Sequence, residues 1–259
     1  MPAKAHDALA GKKIPAEPAL AAGIFLVDKP VGPSSFRMVQ LVRRALSIKK
    51  VGHAGTLDPF ASGLLIICVG RPATRLISQF MDGNKWYEAV LKLGIETTTQ
   101  DLEGEVVAQH VVPPLSREEL EHCLSGFLGA QLQTPPQYSA LKHMGKPLYH
   151  YARRGIIIEK APRPITIFRL ELLAAGADTV RILVECSKGT YIRTLAADIG
   201  GSLGCGAHLV ALRRLQSGSF TVDSAVDGSL LQDPLAARDL LLAKALSVEE
   251  VEAMLAGNG

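Results

Sequence analysis

No uninterrupted apolar run in this sequence of 259 residues approaches the about 20 residues needed to cross a membrane, although hydrophobic residues make up 47% of it. Such a chain is expected to be soluble, with no membrane partner. Cysteine is scarce, and Cys68, Cys123, Cys186 and Cys205 show no pairing at metal-ligand spacing. No secretory leader precedes them, so they are expected to be reduced thiols in a cytoplasmic protein, with Cys68 a small core residue of an apolar strand. Excess charge is nearly absent too: 28 basic against 25 acidic side chains leave +3. Any affinity for nucleic acid must therefore come from where the charges sit. There is no internal repeat, and the length suits one sizeable core, or one domain with a small appendage.

What is present is a mixed pattern of strands and helices. Residues 1–22, rich in Ala and Pro, read as a flexible tail, and order is expected from the apolar run 24–27. A turn at Gly32-Pro33 and a cap at Ser34 or Ser35 lead into an amphipathic helix carrying Phe36, Val39, Val42 and Leu46 toward the core. Arg43, Arg44, Lys49 and Lys50 make its outer side basic, equally suited to a solvated face and to phosphate contact. Strands are expected at 64–69, 86–93, 105–108, 165–173 and 179–186, with a helix opened by the capping box Ser116-x-x-Glu119. Their irregular alternation implies an α+β fold around a mixed, mostly antiparallel sheet flanked by helices and loops.

Two stretches carry chemistry. Gly52-His53-Ala54-Gly55-Thr56-Leu57-Asp58-Pro59-Phe60-Ala61-Ser62-Gly63 places one carboxylate in a glycine-framed turn ahead of an apolar strand. Glycine permits positive φ and close backbone approach, and Pro59 fixes the turn after the acid. By local grammar alone an ordinary Asp-Pro turn is the commoner reading of Asp58. The second stretch, 138–155, interleaves Tyr138, Tyr149 and Tyr151 with Lys142, His143, Lys146, His150, Arg153 and Arg154. Rings that stack on bases beside cations that neutralise phosphates suit RNA, although part of it also fits an amphipathic helix with core tyrosines.

The first of these segments resembles the catalytic motif of the TruB family of tRNA pseudouridine synthases, G-H-x-G-x-L-D-P-x-A-x-G, at every fixed position. The resemblance runs from about residue 23 to about residue 220 through further blocks in the family's order. These are the strand ending in Asp28-Lys29-Pro30, Lys85-Trp86-Tyr87, Tyr138-Ser139-Ala140-Leu141-Lys142, Cys186-Ser187-Lys188-Gly189-Thr190-Tyr191-Ile192-Arg193, Gly204-Cys205-Gly206-Ala207-His208 and Leu212-Arg213-Arg214-Leu215. It implies an isomerase that turns the T-loop uridine of tRNA, position 55 in standard tRNA numbering, into pseudouridine. That reaction needs no cofactor and no metal, and the implied partner is the T-arm of tRNA with no obligate protein partner, the enzyme acting as a monomer.

The same resemblance assigns roles residue by residue. Asp58 is the catalytic carboxylate, adding to ribose C1′ or to uracil C6, and Arg193 its pairing cation, which favours the charged acid in a desolvated pocket. Tyr87 lies against the target base, Tyr191 adds a second ring, and His53 fills the space left by the extruded nucleotide. Leu212 contacts substrate through its backbone and Lys29 supports the loops. Outside the family context, Arg193 reads as a structural ion pair, the tyrosines and Leu212 as core, and His53 as a loop residue. Three other functions stay open: a catalytically silent RNA-binding or tRNA-folding module, a synthase for another RNA uridine, and a carboxylate glycosidase using Asp101 or Glu103 as a second acid. Bacterial relatives usually continue into a C-terminal RNA-binding PUA barrel. Here about 221–259 reads as two short helices, around 239–246 and after the capping box Ser247-x-x-Glu250, so one catalytic domain over 23–259 without that barrel is expected.

Overall fold

A computed structural model describes residues 20–139, 141–152 and 154–256; most of the N-terminal tail and Arg153 lie outside the described residues. In chain order the strands are β1 (Gly23–Lys29), β2 (Val51–Ala54), β3 (Ser62–Val69), β4 (Lys85–Leu93), β5 (Ile95–Thr97), β6 (Val106–Gln109), β7 (Gly129–Gln133), β8 (Lys142–His143), β9 (Lys146–Pro147), β10 (Arg163–Ala175), β11 (Thr179–Cys186), β12 (Ala207–Ser217), β13 (Phe220–Thr221) and β14 (Val226–Asp227). The helices are α1 (Ser35–Leu46), α2 (Gly70–Arg75), α3 (Ile77–Asp82), α4 (Arg117–Ser125), α5 (Leu148–Ala152), α6 (Ile192–Ser202), α7 (Pro234–Ala243) and α8 (Val248–Ala256).

Ten strands form one sheet in the order β14-β1-β3-β12-β4-β11-β10-β7, with β2 on β3 and β13 on β12. Only β1–β14 and β3–β12 run parallel among the described pairs of this sheet, so it is mixed and mostly antiparallel. The uninterrupted apolar run of β3 is explained by burial on both faces: Leu65, Ile67 and Val69 meet α1 and α7, while Leu64, Ile66 and Cys68 meet α2, α3 and Val251 of α8. In β11, Val180, Ile182, Val184 and Cys186 alternate inward onto a third cluster with α4 and α6, as a strand covered on one face should. Cys68 and Cys186 are core thiols whose burial pushes their pKa up to about 12, which makes them poor nucleophiles.

Helix α1 starts as its sequence demands, with the Ser34 hydroxyl accepting from the Arg37 N–H at 3.1 Å. One expectation for it fails, because Phe36 is 57% exposed. Val39, Val42 and Leu46 set the buried stripe, and one turn earlier that stripe passes through Ser35, leaving Phe36 about 100° round the helix. The inward face of Ser35 becomes important at the site below.

The chain after Phe220 returns to the sheet. Strand β14 adds to β1, α7 packs through Ala237 and Leu241 against α1, and Ile24 and Leu246 exchange two backbone hydrogen bonds of 2.9 Å. The Ser247–Glu250 capping box opens α8.

Helix α6 crosses β12 so closely that a Cβ on Gly200 would sit 2.2 Å from the Ala207 nitrogen. Backbone cannot yield there as a flexible side chain could. Gly200→Ala is therefore expected to destabilise the fold by about 1–3 kcal/mol, read as a lowered urea midpoint with an unchanged slope. An unchanged midpoint would contradict the close packing of α6 on β12.

Candidate active site

The loop between β2 and β3 is fixed at several points before its acid is considered. Ser35 Oγ donates to the Leu57 carbonyl and accepts from the Leu57 N–H, both at 2.8 Å, while Gly32 N–H holds the Pro59 carbonyl at 2.8 Å. Leu57 and Phe60 are anchored in the cluster beneath β4 and α6. Gly63 has φ +100°, and a Cβ there would lie 2.2 Å from the Arg214 carbonyl oxygen, so only glycine permits this approach of β3 to β12. Asp58 caps the turn itself, its carbonyl accepting from Ala61 N–H at 3.1 Å.

The Asp58 carboxylate meets Arg193, in the first turn of α6, with Oδ2 3.0 Å from Nε. Arg193 Nη1 reaches Asp101 Oδ2 at 3.3 Å and the Thr99 carbonyl at 2.9 Å, and Nη2 donates to the Tyr138 carbonyl at 2.7 Å. All three nitrogens are engaged in a site where the Arg193 side chain is 6% and that of Asp101 4% exposed, whereas that of Asp58 is 37% exposed. The reachable oxygen atoms of this network are those of Asp58.

Burial raises the Asp58 pKa above the ordinary 3.8; Arg193 pulls it down and Asp101 pushes it up. The guanidinium thus favours the charged acid, but desolvation outweighs it. Asp101, offered by the sequence only as a candidate second acid, is instead a partner of Arg193. It lies in a turn where Gln100 has φ 62°, and its Oδ1 accepts from the Thr99 hydroxyl and from the Glu103 N–H at 3.0 Å. With both oxygens engaged, Asp101 is poorly suited to be the free second acid that a glycosidase needs. Exposed Glu103 senses both carboxylates, its pKa raised by burial and then by Asp101 and Asp58.

The other residues arrange themselves around this pair. Lys29 is fully buried at the end of β1, where its Nζ donates to the carbonyls of Pro30 at 2.9 Å, Pro33 at 2.8 Å and Pro59 at 3.4 Å, stitching its turn to the Asp58 loop. Burial lowers its pKa to about 8, against the attraction of Asp58. Tyr87, on β4, is 9% exposed; burial raises its pKa while a hydrogen bond and the charge of Arg214 oppose that rise. Half-buried His53, on β2, has an Nδ1 without a hydrogen-bond partner among the described residues, and burial and Arg214 together hold its pKa below 6.5, so the ring is neutral at pH 7. Tyr191 precedes α6, its N–H donating to Gln133 Oε1 at 2.8 Å and its carbonyl accepting from Gln133 Nε2 at 3.1 Å. Gln133 gave no signal in sequence. Leu212 is half-buried against the cluster that includes Leu57, Phe60 and Tyr87, and its neighbour Arg213 makes a two-pronged pair with Asp28 at 2.9 and 2.6 Å. In the 138–155 stretch, the rings of His143 and Tyr151 meet edge-on at 5.7 Å.

Known proteins resemble this chain over most of its length. The sequence model described as TruB family pseudouridylate synthase (N terminal domain) matches residues 43–192, and the tRNA pseudouridylate synthase B C-terminal domain model matches residues 193–255. The chain is 56% identical over 240 residues to tRNA pseudouridine synthase B of Desulfotalea psychrophila, covering 90% of this chain and 97% of that protein. It is 48% identical over 230 residues to tRNA pseudouridine synthase B of Francisella philomiragia, covering 88% and 75%. Among solved structures, the archaeal box H/ACA sRNP Nop10–Cbf5 complex contains a chain that superposes with a TM-score of 0.66 at 25% identity, over 92% of this chain and 63% of that one.

The buried ammonium of Lys29 has a consequence for stability. Its pKa of about 8 when folded lies below its ordinary 10.5, so above about pH 8 the folded chain has released a proton that the unfolded chain still holds. Stability due to this group rises with pH through that window. The difference in urea-derived stability between wild type and Lys29→Met should shift in favour of wild type between about pH 8 and 10.5. A difference that stays flat would show an unperturbed lysine.

Proposed function

This chain belongs to the TruB family of pseudouridylate synthases, and we propose that it isomerises uridine 55 in the T-loop of tRNA to pseudouridine, with Asp58 as the reacting carboxylate. The observation that carries this reading is the Asp58–Arg193 pair: one partly exposed carboxylate on a rigid loop, oriented by a guanidinium whose other nitrogens are held from behind.

Isomerisation breaks the bond from ribose C1′ to uracil N1, turns the detached base, and joins C1′ to C5. The C5 proton leaves and N1 takes up a proton, so no redox partner or leaving group is involved. The protein must supply an anion that adds to C1′ or C6, a pocket that retains the loose base, and access to a base that is normally stacked. Asp58 supplies the anion, and its ionised form is the active one. Arg193 fixes its direction, so that little reorganisation is needed at the moment of reaction.

Tyr87 offers a ring held in the wall of the same cluster, where a flipped uracil stacks, and Tyr191 adds a second ring fixed at its backbone by Gln133. Neutral His53 is suited to stand in for the extruded nucleotide, because an uncharged flat ring stacks without bringing a charge that needs solvation. Lys29 supports the loop from below, and Leu212 lines the pocket, offering its backbone to substrate. The isomerisation as written needs no cofactor. Residues 23–259 act together as the catalytic domain, a reading supported by the seating of α7 and α8 on α1 and β1. The working unit is a single chain in the cytoplasm, and the partner is the T-arm of tRNA. No described helix is long and apolar enough to cross a membrane.

The test is Asp58→Asn, which keeps the shape of the side chain and removes the carboxylate. Tritium release from C5-labelled tRNA should fall to background while filter binding of tRNA stays within about threefold of wild type. Wild-type release should also drop as the pH falls, with a midpoint above 3.8, because burial raises the pKa of the group that must be ionised. Turnover by the variant would remove Asp58 from the chemistry, and binding without turnover by the wild-type chain would favour an RNA-binding module.

A further inference from the structure

Arg214 is 2% exposed, and among the described residues no carboxylate lies within ion-pair distance of it. An isolated buried cation is costly, so what its donors hold matters. Nε donates to the Leu64 carbonyl at 2.7 Å and Nη2 to the Gly55 carbonyl at 3.0 Å. These two carbonyls are the feet of the loop that carries Asp58, one where the chain leaves β2 and one where it has entered β3. The backbone of Arg214 is also placed against the loop, paired in parallel register with Gly63 on one side. On the other side it lies directly opposite Tyr87 in the antiparallel pairing of β12 with β4. Residues opposite each other in such a pairing project to the same face of the sheet. The Tyr87 hydroxyl senses the Arg214 guanidinium, whose charge opposes the rise in its pKa. Adjacent Arg213 projects the other way and pairs with Asp28.

We propose that Arg214 is a positioning residue for the reaction: one buried guanidinium ties together both feet of the Asp58 loop on the sheet face that carries Tyr87, so that the reacting carboxylate and the ring that receives the base keep a fixed separation. This rests on the reading of the site as a pseudouridine synthase. The fork of a guanidinium reaches two separated carbonyls through two different nitrogens, whereas a lysine brings a single nitrogen to one point. The neighbours register the charge: Arg214 contributes to the lowered pKa of His53, Lys29 and Lys85.

The experiment measures single-turnover conversion and filter-binding Kd for Arg214→Lys, in the wild-type and Tyr87→Phe backgrounds. With Tyr87 present, Arg214→Lys should slow conversion about 10- to 100-fold, as a displacement of about 1 Å does, and leave the Kd for tRNA within about twofold. In the Tyr87→Phe background the ring has lost the hydroxyl that senses the guanidinium, so the same substitution should slow conversion by a factor smaller by about threefold or more. Equal factors in the two backgrounds, a wild-type rate, or a loss carried wholly by Kd would each overturn the proposal. Should Arg214→Lys fail to fold, Gly55→Ala provides the same test from outside, since its Cβ would lie 3.2 Å from Arg214 Nη1 and press the guanidinium off its carbonyl. That variant should convert slowly with its Kd retained, and a wild-type rate would overturn the proposal. Wild-type protein in the same assay separates the two levels: no product from it defeats the functional reading, whereas normal product with unaffected Arg214 and Gly55 variants defeats this inference alone.

Discussion

The guanidinium of Arg193 brings four pieces of chain to one point: the start of α6, the turn around Asp101, the segment at Tyr138 and the Asp58 loop. Without it, two carboxylates would face each other in a largely dry site, which is a repulsive arrangement that protonation or separation would relieve. With it, the deeper carboxylate is neutralised and the outer one keeps a fixed direction. The residual rise in the Asp58 pKa is the counterpart of this placement: an acid sheltered enough to act in a dry pocket is also an acid whose charge is disfavoured by desolvation.

The sheet holds this point from several sides. Strand β3 is packed on both faces and carries the loop directly, while β4 and β12 present Tyr87 and Arg214 from adjacent positions. Three cations thus surround the loop in different ways. Arg193 binds the acid, Lys29 binds the Pro59 carbonyl after it, and Arg214 binds the two feet of the loop. Only the first touches the carboxylate, so the others shape the loop without competing for Asp58.

Much of the architecture is legible in the sequence, and for local reasons. Capping residues at Ser34 and Ser116, the apolar run of β3 and the alternation in β11 each depend on neighbours in sequence, and each element formed where those neighbours placed it. Phe36 was misplaced because a helical stripe has to be phased by its whole length, and the large residue at its start pulled the phase by one position. Asp58, Arg193 and Tyr87 were legible through their motif segments. Gln133 gives no signal in sequence, Asp101 stands out only by type as a second acid and Arg214 only as part of a motif block, since each acts through a partner far away in the chain: Asp101 on Arg193, Gln133 on Tyr191, Arg214 on Gly55 and Leu64. Nothing within a few residues distinguishes them from an ordinary turn acid, strand amide or strand cation.

The most direct measurement of the central claim is single-turnover conversion of tRNA by Arg193→Lys, beside its affinity for tRNA. A lysine keeps the positive charge but cannot hold Asp58, Asp101 and two carbonyls in one plane. Conversion is expected to fall by about 100-fold, with affinity within about threefold of wild type, because the loss is one of orientation in the transition state. Conversion at the wild-type rate would contradict the claim that the geometry of this guanidinium, and not merely its charge, sets the reacting carboxylate.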